Sequence, residues 1–167
     1  CLEELFIVIN LLMHAPYGKR LINRIINKKE ILGILSNKNK NTMNLSKDDY
    51  INLINISLGF YSPLKTFCNY EDYLSIIKKR KLYNKVDWTI PILLNFSESR
   101  KLINKNQIFK LKFDNKIVGI IKVSHIFKIN RKLFNIKVFG TNSTKHPGVK
   151  VFSKKKNLFI SGDIFLI

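Results

Sequence analysis

Gln107-Ile108-Phe109-Lys110-Leu111-Lys112-Phe113-Asp114-Asn115-Lys116-Ile117-Val118-Gly119-Ile120-Ile121-Lys122-Val123 joins two apolar segments through a short polar reversal. Phe109, Leu111 and Phe113 alternate with Lys110 and Lys112, the period of two that sends successive side chains to opposite faces of a strand. Asp114-Asn115 tolerates the backbone of a tight turn, and an apolar run follows it, so residues 107–123 are predicted as a β-hairpin.

Working outward, Ile92, Leu94 and Phe96 alternate with Leu93 and Asn95 and read as a strand after Trp88. Asn130 to Lys137 is a polar segment with helical character, and Phe159 to Ile167 is predicted as a final strand interrupted by Ser161-Gly162-Asp163. His125 follows the hairpin, where a partly buried histidine bonded to backbone is the default expectation.

The first half is helical in pattern. Asn27 with Glu30 makes a capping box for a short helix through Leu35, because each side chain can satisfy a free backbone N–H. Ser46 with Asp49 repeats the device and opens a helix carrying Tyr50, Leu53, Ile54 and Ser57, which Gly59 can end. Asn69 starts a third, with Glu71 and Asp72 in its first turn and Lys78 to Lys81 in its last, the charge order a helix dipole favours. Ser36 to Asn44, dense in Asn and Lys, is predicted as a surface loop. Helices crowding the first half and strands the second predict an α+β fold: a small, mostly antiparallel β-sheet or barrel with flanking short helices.

The chain has 167 residues, 46% hydrophobic, which suits one domain with one substantial core. Its formal net charge of +19 would ordinarily point to a polyanion. However, 25 of the 30 basic residues are Lys, and Lys, Asn and Ile fill 69 of the 167 positions. All three have A- and T-rich codons, so base composition explains the excess, and the Arg that reads phosphate in paired bonds is scarce. A solvated surface is the expectation, with nucleic acid not expected as a partner.

Cys1 and Cys68 make neither a metal spacing nor a disulfide framework, which fits a reducing compartment and a cytoplasmic location. The apolar run Leu5 to Leu12 is too short to span a bilayer and follows Glu3 and Glu4, so neither a membrane anchor nor an export signal is expected. Residues 1–13 are set apart as an N-terminal extension, and two readings stay open: Met13 as the initiator, or an ordinary packed helix. His14, His125 and His146 lie far apart without carboxylate or Cys at ligand spacing, so no metal ligand is assigned. Neither a Gly-rich phosphate loop nor an activated nucleophile is evident: Ser62 sits before Pro63 without a nearby base and reads as a turn residue. No catalytic or cofactor-binding residue is assigned.

A succession of short motifs carries the reading further. Ala15-Pro16-Tyr17-Gly18 with Leu21-Ile22-Asn23-Arg24 is followed by Leu45-Ser46, then by Gly59-Phe60-Tyr61-Ser62-Pro63-Leu64-Lys65-Thr66-Phe67 and by Trp88-Thr89-Ile90-Pro91-Ile92. Val138-Phe139-Gly140-Thr141, His146-Pro147-Gly148-Val149 and Gly162-Asp163 complete the series. In this order they resemble the N-terminal, PUA-like domain of the ATP sulfurylase (sulfate adenylyltransferase) family, over residues 14–167. Gly59 and Gly148 sit where tight turns are expected, and Pro63, Pro91 and Pro147 where φ is fixed at segment junctions. Tyr17 and Lys19 stand where the family usually has His and Gly, Thr66 replaces a Gly, and Asp48 and Asn52 replace an Arg and an Asp. Marginal stability or local compensation are both open consequences.

The resemblance implies the parent reaction ATP plus sulfate to adenosine 5′-phosphosulfate and pyrophosphate, in sulfate assimilation, with ATP and Mg²⁺ bound by the parent enzyme. It also implies that the catalytic residues lie in a following domain, on a Gln-x-Arg-Asn-Pro-x-His-x-x-His type motif absent from this sequence. The stretch in hand is then a nucleotidyltransferase fragment with a structural, positioning role and no catalysis of its own. Its partner is the catalytic domain, with homo-oligomerisation left open. Asn23, Arg24, Gly59, Ser62, Pro63, Leu64, Pro91, Gly140, His146, Pro147 and Gly148 are the motif residues expected in structural or interdomain contacts. The alternative from a different class is a stand-alone basic PUA-like RNA-binding module.

Overall fold

A computed structural model describes residues 17–36, 41–97 and 103–167. Expectations for Cys1, Met13, His14 and the run Leu5 to Leu12 lie outside the described residues.

Local signals placed most helices. Asn27 Oδ1 accepts from the Lys29 amide at 3.1 Å and starts a 3-10 turn, Lys28–Ile31, that runs into helix α1, Leu32–Ser36. Strand β1, Asn41–Asn44, corrects the expected loop over this region. Ser46 caps α2, Lys47–Ser57, by accepting from the Asp49 amide at 3.2 Å, and Asn69 caps α3, Tyr70–Lys79, by accepting from the Asp72 amide at 2.8 Å. Strand β2 is confined to Leu94–Asn95, shorter than the expected strand.

The hairpin is β3, Ile108–Phe113, with β4, Lys116–Phe127, turning on Asp114 and Asn115, both at positive φ (46° and 62°). β4 extends past Val123, the predicted end, through a register shift between Val123 and His125. His125 therefore lies within the strand, opposite Ser161, exposed and bonded to the Ser124 hydroxyl instead of to backbone. Helix α4, Arg131–Phe139, is capped by Asn130 and ends at Gly140, whose φ of 74° is the left-handed turn that Gly adopts without a Cβ penalty. Helix α5, Pro147–Ser153, was not expected, and it leads to β5, Phe159–Leu166.

The five strands form one sheet in the order β1-β3-β4-β5-β2. β3, β4, β5 and β2 pair antiparallel, and β1 joins β3 in parallel with Asn41 opposite Phe109. The mostly antiparallel α+β expectation therefore holds, with β1 as the exception. One core cluster sits on the sheet under α2 (Met43, Leu53, Ile56, Phe109, Ile121, Ile164), and another joins α3, α4 and α5 around Tyr73, Phe134 and Phe152. Phe134 and Phe152 stack with centroids 4.0 Å apart. Among the described residues no helix is long and apolar enough to cross a membrane.

The outer edge of β5 positions the rest of the molecule. β2 pairs with its start, at Phe159 and Ile160. In its middle the Thr66 hydroxyl donates to Gly162 O, and the Ser161 hydroxyl donates to Phe67 O at 2.6 Å. At its end the Ile26 amide donates to Leu166 O (2.9 Å) and the Leu166 amide to Arg24 O (2.8 Å). Three segments distant in sequence thus cover an edge whose free N–H and C=O groups would otherwise invite strand addition.

Candidate functional site

The segment 17–24 and the turn 59–67 are held together by Ser62. Its side chain is buried, its hydroxyl donates to Gly59 O at 2.6 Å, and the same oxygen accepts from the Ile22 amide at 3.1 Å. Gly59 has φ +84°, and a Cβ there would stand 2.5 Å from Ile22 O, so both conformation and space demand glycine. Gly18 closes the junction from the other side, since a Cβ on it would come within 2.7 Å of the Pro63 ring. Leu64 is buried in the second core cluster. Five of the expected motif residues, Asn23, Arg24, Gly59, Ser62 and Pro63, therefore belong to one junction.

Arg24 projects from this junction in a fixed pose. Its Nε donates to Lys65 O at 3.2 Å, Nη2 lies 3.7 Å from Asp163 Oδ1, and the guanidinium sits 5.5 Å from the Phe165 ring centroid. Asn23 Oδ1 accepts from the Ile25 amide at 2.9 Å. Arg20, Ile22, Asn23, Arg24 and Lys65 line a polar cleft of about 260 Å³. Arg20 lies outside the motifs, and Lys65 and Asp163 stand within them without an assigned role, because only the fold sets the three beside Arg24.

The remaining motif residues form a separate group around α4 and α5. His146 precedes α5 and packs on Phe139, with ring centroids 5.2 Å apart, and Pro147 occupies the first helical turn, where its missing N–H is harmless. Gly148 is helical, correcting the expected tight turn. Its lack of a side chain matters because a Cβ would lie 2.6 Å from the Phe139 ring. Pro91 lines a second cleft, about 340 Å³, with Ile51, Ile90, Phe134, Asp48 and Lys155 among its walls. A neighbouring cleft of about 310 Å³, lined by Tyr61, Trp88 and Thr89, shares Ile90 and Ile92 with it. Ile51 and Ile90 are 43% and 52% exposed, so the two clefts and the ridge between them make an apolar surface.

Two departures from the family motif are used locally. Thr66 supplies the hydroxyl that reaches Gly162, and Asn52 accepts from the Tyr61 hydroxyl at 3.4 Å. Beside Asn52, the buried Asp49 pairs with Lys155 at 3.3 Å and accepts from Ser46 Oγ at 2.6 Å. Arg131 caps the end of α5 by donating to Ser153 O and Lys155 O.

None of this assembles a nucleophile. Burial, with a smaller contribution from Asp72, pushes the Cys68 thiol up to about 12, so it is protonated and unreactive at neutral pH. Among the described residues, no group of three or more His, Cys, Asp or Glu could hold a metal ion.

Comparison with known proteins agrees with the family resemblance. A family model described as a PUA-like domain matches residues 14–167. The chain is 30% identical over 154 residues to a sulfate adenylyltransferase of Staphylothermus marinus, covering 91% of this chain and 40% of that protein. It is 31% identical over 159 residues to the sulfate adenylyltransferase of Ignicoccus hospitalis, covering 93% and 41%. Among solved structures, a hexameric APS kinase from Thiobacillus denitrificans superposes with a TM-score of 0.67 at 18% identity, over 92% of this chain and 27% of that one, a likeness of fold. The chain thus spans about two fifths of the length of the curated relatives it matches.

Proposed function

The chain belongs to the PUA-like domain family, and from that premise we propose that it is the N-terminal domain of a sulfate adenylyltransferase, built to position a catalytic domain. The observation that carries this reading is the extent of the similarity: more than nine tenths of this chain against about two fifths of each relative. The parent reaction joins sulfate to the α-phosphate of ATP and releases pyrophosphate. Such a displacement needs oriented cations and donors around the phosphoryl oxygens, where Mg²⁺ would supply positive charge.

The described residues do not fit Mg²⁺, having no cluster of carboxylates, and no step of the reaction is assigned to them. What they supply is a docking face and a fixed frame. The apolar surface around Ile51, Ile90 and Ile92 is the face proposed to pack on the catalytic domain. Ser62, buried inside, fixes the junction from which Asn23 and Arg24 project, while Leu64 anchors the same turn in the second core cluster.

The purified chain, supplied with ATP, Mg²⁺ and sulfate, is expected to release no pyrophosphate above background. Joined to a sulfate adenylyltransferase catalytic domain, it is expected to support turnover. Turnover by the chain alone would refute the positioning role, and an inactive, non-associating pair would refute the parentage.

A further inference from the structure

Arg20, Arg24 and Lys65 converge on one cleft with Asn23. Like charges gathered in one concavity repel, and the repulsion falls when an anion enters. Among the described residues the ion-paired acidic neighbour of the cleft is Asp163, which is 3.7 Å from Arg24 Nη2 and 66% exposed. Among the described residues, neither Arg20 nor Lys65 has a carboxylate within ion-pair distance.

The donor inventory points the same way. Arg24 carries five N–H groups, of which its described contacts engage Nε and Nη2, and those contacts fix the plane of the fork. Asn23 uses its carbonyl on the Ile25 amide, which leaves its NH₂ as the part able to meet a ligand. The Ile22 N–H is already taken by Ser62, and the cleft's side chains offer donors in excess of acceptors. At about 260 Å³ the space falls below the ~300–1,000 Å³ of sites that enclose drug-sized molecules, so it suits a small ion rather than a nucleotide.

We propose that the Arg20–Asn23–Arg24–Lys65 cleft is a binding site for a small oxyanion of the sulfate, phosphate or pyrophosphate class. The site goes beyond the positioning role and does not depend on it. Arg24, oriented by Lys65 O and Phe165, is its fixed donor, and Arg20 and Lys65 are its exposed closing charges.

The test titrates the whole chain with sodium sulfate, phosphate and pyrophosphate at constant ionic strength set with chloride, following the Asn23 side-chain amide by NMR together with the thermal midpoint. Saturable shifts at Asn23 are expected, with pyrophosphate the tightest. The double substitution Arg20→Gln/Lys65→Gln leaves Arg24 and the fold in place and should weaken binding by at least tenfold, the loss of a charged hydrogen bond of about 1.4 kcal/mol. A Lys78→Gln/Lys79→Gln control removes the same charge from the exposed end of α3 and should leave affinity within twofold. Equal weakening in both variants would show bulk charge at work and overturn the site, as would a linear, unsaturable response at Asn23.

Discussion

At Lys19 the backbone has φ 71°, a left-handed conformation, in the position where the family motif carries a second Gly. A non-Gly residue there costs about 1–2 kcal/mol, while Gly adds back about 0.5–1 kcal/mol of chain entropy on folding. Lys19→Gly should therefore stabilise the chain by about 0.5–1 kcal/mol, read as a higher urea midpoint at unchanged slope, whereas Lys19→Ala should be neutral. No gain from the Gly variant would mean that the turn relaxes. Arg80 offers the contrast: φ is 57°, but its guanidinium donates to Thr89 O and Lys137 O, so contacts offset the strain and Arg80→Gly should destabilise. Residue chemistry alone identified Ser62 as a turn residue, yet which amide its oxygen would cap, Ile22, lies 40 positions away.

Among the elements, the helix starts at Asn27, Ser46 and Asn69 were legible because a cap is decided within three residues, whereas 130–137 read only as a segment of helical character and its Asn130 cap is seen in the structure. β1 was not legible. Asn41, Thr42 and Asn44 are polar, one side chain, Met43, is fully buried, and the strand exists through parallel pairing to β3 more than 60 residues on. α5 was hidden for a different reason, since Pro147-Gly148 reads as a turn until Phe139 is seen filling the space a Cβ would take. The cover over β5 is held by side-chain hydroxyls as well as by backbone pairing. Thr66→Val and Ser161→Ala each remove one hydroxyl from it and should each cost about 1 kcal/mol in urea unfolding. They should also raise amide exchange along β5 before global unfolding, and unchanged exchange would show that β2 and Arg24 to Ile26 hold the edge without them.

For the molecule as a whole, the joined clefts around Ile90 are the apolar surface left uncovered. Ile90 is 52% exposed, so Ile90→Asp should change the chain's own stability by less than about 0.5 kcal/mol. In association with a sulfate adenylyltransferase catalytic domain the same charge would be buried against apolar surface, and affinity should fall at least tenfold by calorimetry. Undiminished association would place the docking face elsewhere. The walls of the two clefts are mostly apolar, so the affinity is expected to depend little on ionic strength in spite of the +19 charge.

The sequence by itself determined the α+β class, the hairpin on Asp114-Asn115, the capped helices and the order of the family motifs, because each rests on spacing within a few residues. Tertiary structure alone decided that Arg20, Arg24 and Lys65 share a cleft, that Thr66 reaches Gly162, and that Lys155 pairs with Asp49. Arg24 and Lys65 stand 41 positions apart, Thr66 and Gly162 96, and Asp49 and Lys155 106, and side chains so separated meet only when sheet pairing and core burial bring their segments together, which no local period encodes.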